Sequence, residues 1–210
     1  KPAVMTGDGN TAVGHQKAGY GDPCIVGDSE SPRMIITSCS GTPGFFSGTR
    51  DHHQGWARWY SNDNGATWSE PQYIDEEFVY SKFDKSAYGP IRGWFIGSGK
   101  ICQSTKTKVN KYRRLYLVGS SCRQGSNETA NWVLYSDDFG ETWSFLGGMT
   151  NSPVPGGNEA KVEELPGGNV LISSRTEQGR FFNIFTFTDT KKAEGSWGEV
   201  AFSGQSNNGV

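Results

Sequence analysis

Apolar residues in this chain fall in short runs of β-branched and aromatic types between turn formers, and no long stretch shows the three-and-four spacing of a helix face. The pattern predicts strands at 24–26, 34–38, 56–60, 99–103, 114–120, 131–135, 160–165, 170–175 and 181–188. Turns are legible at Asp28-Ser29-Glu30-Ser31-Pro32, at Asn110-Lys111 and at Pro166-Gly167-Gly168-Asn169. Strands joined this way read as an antiparallel meander in local pairs. Residues 1–21, rich in Gly and small polar types, read as a loop entering the first strand. Two longer stretches, 41–55 and 78–97, stand outside the pattern and read as loops of functional length. They mix rings with charges: Phe45, Phe46, Arg50, Asp51, His52, His53 and Trp56 in the first, Tyr80, Lys82, Tyr88, Arg92 and Trp94 in the second. Such a mixture suits a sugar, with hydroxyls for the charges and C–H faces for the rings.

One element occurs twice. Ser61-Asn62-Asp63-Asn64-Gly65-Ala66-Thr67-Trp68 returns as Ser136-Asp137-Asp138-Phe139-Gly140-Glu141-Thr142-Trp143, keeping Ser, Asp, Gly, Thr and Trp at fixed offsets. Asp bonds its own backbone in turns, Gly supplies positive φ and Trp anchors the following strand. The octet is therefore a hairpin turn with a tucked Trp, and it marks a repeating structural unit. A degraded third copy spans Thr188 to Trp197, where Asp189 and Trp197 survive around a longer turn.

Composition narrows the class. At 210 residues, with 29 Gly and 13% aromatics, the chain suits one sizeable all-β domain covering 1–210. With 20 basic and 22 acidic residues the net charge is -2, which argues against a nucleic-acid partner or a polybasic membrane patch. No apolar run is long enough to span a bilayer, and no secretory leader pattern opens the chain. Cys24, Cys39, Cys102 and Cys122 allow two readings: disulfides 24–39 and 102–122 in an oxidising compartment, or four buried thiols. None has C-x-x-C spacing.

A meander with a Trp-bearing turn at a fixed place in each unit implies blades of a β-propeller. At roughly 50 residues a blade the chain supplies about four. It opens in a loop and stops at Ser206-Asn207-Asn208-Gly209-Val210 without a natural finish, so an interior segment of a larger propeller is expected, incomplete at both ends.

The octet resembles the Asp-box, and the chain from about Gly21 onward resembles the bacterial exo-α-sialidases, especially those of Bacteroides type, which are six-bladed propellers. The segment 157–175 is similar to the sialidase stretch in which an Asn-Glu pair, Asn158-Glu159, precedes a strand, a Gly-containing turn and a second strand ending in Arg175. Asp22-Pro23 before an apolar strand resembles another sialidase segment. The resemblance implies a retaining exo-α-sialidase that releases terminal sialic acid from glycoconjugates, periplasmic or secreted/cell surface, with no cofactor. A substrate with a carboxylate on its anomeric carbon repels an anionic nucleophile, so the family uses a Tyr activated by a Glu, and holds the carboxylate with three Arg forks. On this resemblance Glu159 is the Tyr-activating carboxylate, Arg175 one of the three arginines, and Asp22 a contact for the sugar 4-hydroxyl. An R-I-P motif, an acid/base Asp upstream of the first box, a third arginine and a nucleophilic Tyr are not identified, so the segment by itself is expected to lack turnover.

Other signals have plainer readings. Asp63 and Asp138 are structural turn residues. Adjacent His52 and His53 point to opposite faces of an extended chain, which argues against a shared metal. Asp75-Glu76-Glu77 and Glu163-Glu164 read as solvated surface, and Asn127-Glu128-Thr129 fits a glycosylation triplet. The competing function is a non-catalytic carbohydrate-binding propeller that shares the boxes, and a third reading is a glycosidase for another sugar.

Overall fold

The computed structural model describes residues 4–12, 15–97 and 99–204; the stretch Ser206–Val210 and parts of the N-terminal segment lie outside these. The elements in chain order are β1 (Tyr20–Gly27), β2 (Met34–Ser40), β3 (Gly55–Ser61), β4 (Gln72–Tyr73), a π-helical turn Glu76–Tyr80 that runs into α1 (Ser81–Asp84), β5 (Ile91–Ile96) and β6 (Gly99–Lys100). There follow β7 (Cys102–Val109), β8 (Tyr112–Arg123), β9 (Thr129–Ser136), β10 (Ser144–Phe145), β11 (Val154–Pro155), β12 (Asn158–Glu164), β13 (Val170–Thr176), β14 (Gly179–Asp189), β15 (Glu194–Trp197) and β16 (Ala201–Phe202). The chain is all-β, and its residues cluster into two compact units, one of Lys1–Lys100 with Cys122–Asn127 and one of Ile101–Ser121 with Glu128–Val210.

In the first unit β1 to β4 form an antiparallel meander in consecutive order, with β6 parallel to β1. All of β3 is buried, including Trp56 and Trp59, which explains why its sequence does not alternate: both faces are covered. The segment 78–97 corrects the expected ligand loop. It holds helical turns and a strand, and Tyr80, Tyr88 and Trp94 belong to the core together with Phe78, Val79 and Phe83. Phe83 packs against Tyr88 and Trp94 at ring separations of 5.7 and 6.1 Å, so these rings are spent on packing. The 41–55 segment is fastened to that insertion. Arg50 bonds both Glu76 and Asp84, and His53 sits between the Arg50 carbonyl at 2.7 Å and Asp75 at 3.1 Å while stacking on Tyr80.

The second unit contains two more meanders, β7-β8-β9-β10 and β12-β13-β14-β15, with β11 added beside β9 and β16 beside β14. Their facing sides make one core, with Cys102, Tyr116, Val118, Val133, Leu146 and Val154 against Ala160, Val162, Val170, Ile172 and Phe185. The described chain therefore carries three four-stranded meanders where length alone suggested about four. The difference is the 74–97 insertion, which takes up chain without adding a repeat.

The two octets fold alike. Asp63 accepts from Ser61 Oγ at 2.8 Å, Thr67 N at 2.8 Å and Thr67 Oγ1 at 2.6 Å. Asp138 accepts from Ser136 Oγ, Thr142 N and Thr142 Oγ1 at the same distances. Gly65 and Gly140 take φ of 79° and 84°, which a side chain would resist. Around the degraded third copy, Asp189 accepts from Lys191 N and Lys192 N, and Trp197 donates to the Leu146 carbonyl at 2.8 Å. Cys24, Cys39, Cys102 and Cys122 are all buried thiols, which selects that reading over the disulfides. No helix among the described residues is long and apolar enough to cross a membrane.

Candidate functional site

β12 and β13 pair in antiparallel register from Glu164↔Val170 to Asn158↔Arg175, with a shift between Asn158 and Lys161. Glu159 and Ala160 thus share the space of one partner residue, a β-bulge, and such bulges re-aim side chains at sheet rims. Glu159 takes φ of 41°, the left-handed region that costs a non-Gly residue about 1–3 kcal/mol. The bulge swings its carboxylate to the end of β13, where Arg175 Nη1 donates to Glu159 Oε2 at 2.8 Å.

Magnitudes say what this pair is for. The side chains are 34% and 54% exposed, and a pair so open to water contributes only about 0.2–1 kcal/mol. The ion pair therefore does not offset the backbone strain that creates it. A strained carboxylate and a guanidinium are thus held together where solvent reaches both.

Alternation gives the pair its surroundings. Val170, Ile172 and Ser174 turn into the core, so Arg175 shares the other face of β13 with Leu171 and Ser173. Arg180 lies opposite Arg175 in register on β14 and donates from Nε to Ser173 Oγ at 2.8 Å. Arg175 Nε is buried with no acceptor among the described residues.

Glu159 and Arg175, named from sequence, are brought together. Asp22 belongs to the first unit, where it sits half-buried at its own bulge between Gly21 and Cys24, with φ of 53°. The two acidic candidates occupy the same place in their meanders, the bulge in the first strand. His53 is used in the contacts of the 41–55 segment, while His52 is exposed. No group of three or more His, Cys, Asp or Glu among the described residues is arranged to hold a metal ion. Sequence reasoning missed Ser174 and Asn131, which stand directly behind the bulge; the signal was a Ser following Val170 and Ile172 on the core face.

No family model matches the chain. Rat (Rattus norvegicus) Sialidase-3 is 33% identical over 124 residues, which is 56% of this chain and 28% of that protein. Among solved structures, Hadza microbial sialidase Hz136 superposes with a TM-score of 0.68 at 17% identity over 95% of this chain and 37% of its own. The intramolecular trans-sialidase of Ruminococcus gnavus gives 0.59 at 16% identity over 87% of this chain and 54% of its own. Trypanosoma rangeli sialidase, as a covalent intermediate with 2,3-difluorosialic acid, gives 0.61 at 16% identity over 88% and 28%. The chain spans little more than a quarter of the rat relative's length, and at these identities the structures testify to the fold. The chain is thus similar in sequence to a sialidase over 56% of its length and shares an all-β fold with solved sialidases.

Proposed function

We propose that the protein is an exo-α-sialidase acting on terminal sialic acids of glycoconjugates, with the two octets serving as its Asp-boxes. The observation that carries this reading is the contact between Glu159 and Arg175 across a strained bulge. Sialic acid is an anion at the reacting carbon. Arg175 supplies a planar fork for its carboxylate, which Lys does not reproduce. Glu159 takes the proton of a Tyr hydroxyl as that oxygen attacks C2, the glycosidic oxygen leaves with a proton from an acid, and water then releases the sugar with net retention. Arg175 also holds the Glu159 carboxylate aimed through its 2.8 Å hydrogen bond. Asp22 is proposed to bind the sugar 4-hydroxyl. Such an enzyme meets its glycans in the periplasm or at the cell surface.

The test is turnover of a fluorogenic sialoside by the intact protein. Arg175→Ala is expected to lower kcat/KM by about 10²–10³-fold, with Arg175→Lys recovering little. Activity of Arg175→Ala within about threefold of wild type refutes the assignment. Saturable binding of free sialic acid with no turnover by the wild-type protein supports the carbohydrate-binding alternative instead.

A further inference from the structure

A line of polar side chains runs through the core between the two sheets of the second unit, where packing alone calls for apolar ones. Ser120, Asn131 and Ser174 are 1%, 0% and 0% exposed. Burying an amide and two hydroxyls is costly unless each is bonded, and here each is. Ser120 Oγ donates to Asn131 Oδ1, and Asn131 Nδ2 donates to Ser174 Oγ. Ser174 Oγ donates in turn to the Asn158 carbonyl, 3.5 Å away. Donation runs in one direction along the line, because the Asn131 amide nitrogen can only donate to Ser174 Oγ and the Asn158 carbonyl can only accept from it.

The line ends on the peptide group between Asn158 and Glu159. The N–H of that same peptide donates to Asn158 Oδ1 at 2.9 Å. Both polar atoms of one peptide plane are thus pinned, immediately before the residue with φ of 41°. The chain reaches this point through Gly157, where a Cβ would overlap Ser174 Oγ and lie 2.7 Å from Asn131 Nδ2.

The first unit repeats the device. At its own bulge, Gly21 pairs with Cys39 and Asp22 takes φ of 53°. The preceding strand residue of β2, buried Ser38, donates from Oγ to the Gly21 carbonyl at 2.6 Å. In both meanders a buried Ser on the second strand holds the carbonyl just before a left-handed acidic residue on the first.

We infer that Ser174, backed by Asn131, is a positioning residue that locks the Asn158–Glu159 peptide and so aims the Glu159 carboxylate at Arg175. The inference rests on the reading of Glu159 proposed above. Without the hydroxyl the bulge relaxes toward negative φ and the carboxylate leaves the guanidinium. A misplacement on the order of 1 Å costs about 10²-fold in rate.

The experiment is a double-mutant cycle in the intact protein, read as kcat and KM on a fluorogenic sialoside, with a thermal melt of each variant. Ser174→Ala is expected to lower kcat by about 10–100-fold with KM within about threefold, and Ser174→Thr to restore most of it. In a Glu159→Gln background Ser174→Ala is expected to cost nothing further, because both changes disable the same group. Asn131→Asp keeps the volume and draws the Ser174 proton away from Asn158, so it repeats the kcat loss and serves if Ser174→Ala does not fold. Glu159→Gln impaired while Ser174→Ala and Asn131→Asp turn over normally overturns the positioning role, as does an additive loss in the double variant. Wild-type turnover by Glu159→Gln instead removes the parent reading, and the inference with it.

Discussion

At the scale of single residues, the acidic side chains here divide by what their oxygens face. Asp63 spends its carboxylate inside the first octet turn, and the hydrogen bonds from Thr67 and Ser61 hold its pKa down to about 2. Glu159 has Arg175 and solvent instead. The contrast gives a pH test. A depressed carboxylate contributes stability that is complete above its unfolded value near 3.8 and lost as pH falls toward about 2. Asp63→Asn is therefore expected to melt below wild type at pH 5, with the gap closing as melts are repeated down to pH 2. A gap that stays constant with pH shows that the charge-assisted bonds of Asp63 do not stabilise the turn.

At the scale of elements, the octets share a turn but not its attachments, and the second position decides this. Asp137 accepts two bonds from Arg114, Nε at 2.7 Å and Nη2 at 2.8 Å, while exposed Asn62 holds the same place in the first copy. Arg114 is fully buried on β8 and also donates to the carbonyls of Thr190 and Lys191 in the β14–β15 turn, so it ties the two sheets of the second unit together. Tyr135 and Phe187 lie under its guanidinium. Removing one partner of a buried pair leaves a charge uncompensated, at a cost of about 3–5 kcal/mol. Asp137→Ala is expected to lower the urea midpoint by an amount equivalent to about 3 kcal/mol with the m-value unchanged, and Asn62→Ala to move it by less than about 0.5. Equal effects at the two sites contradict the assignment of Arg114 as the tie between sheets.

At the scale of the whole molecule, periodicity located the strand cores because a meander pairs neighbours, and each pairing needs only a short apolar run and a turn. It failed where helix and core were too short or too mixed to show a period. α1 has four residues, less than two turns, and β5 follows it among Tyr and Trp that looked like sugar contacts yet are buried. Glu159 and Arg175 were named through the family resemblance, since neither stands out in composition or spacing. Ser174 was legible in principle, third on the core face after Val170 and Ile172, but Asn131 was not, because β9 is buried on nearly every side chain and shows no alternation. The same burial map predicts how the molecule opens. β3 is buried throughout and lies between β2 and β4, whereas β12 alternates exposed with buried residues and pairs only with β13 among the described strands. Local opening starts where few apolar contacts and one ladder hold a strand. Native-state hydrogen exchange is therefore expected to show amides of β3, and of β8 and β9 in the second unit, exchanging last, with β12 and β16 well ahead of them. The Asn158–Glu159 segment then sits on a strand with little protection of its own, so the buried hydroxyl behind it adds to what its pairing with β13 holds. If β12 amides prove as slow as those of β9 in Ser174→Ala as well as in the wild type, the strand is rigid without Ser174, and a bulge that holds its own shape needs no lock.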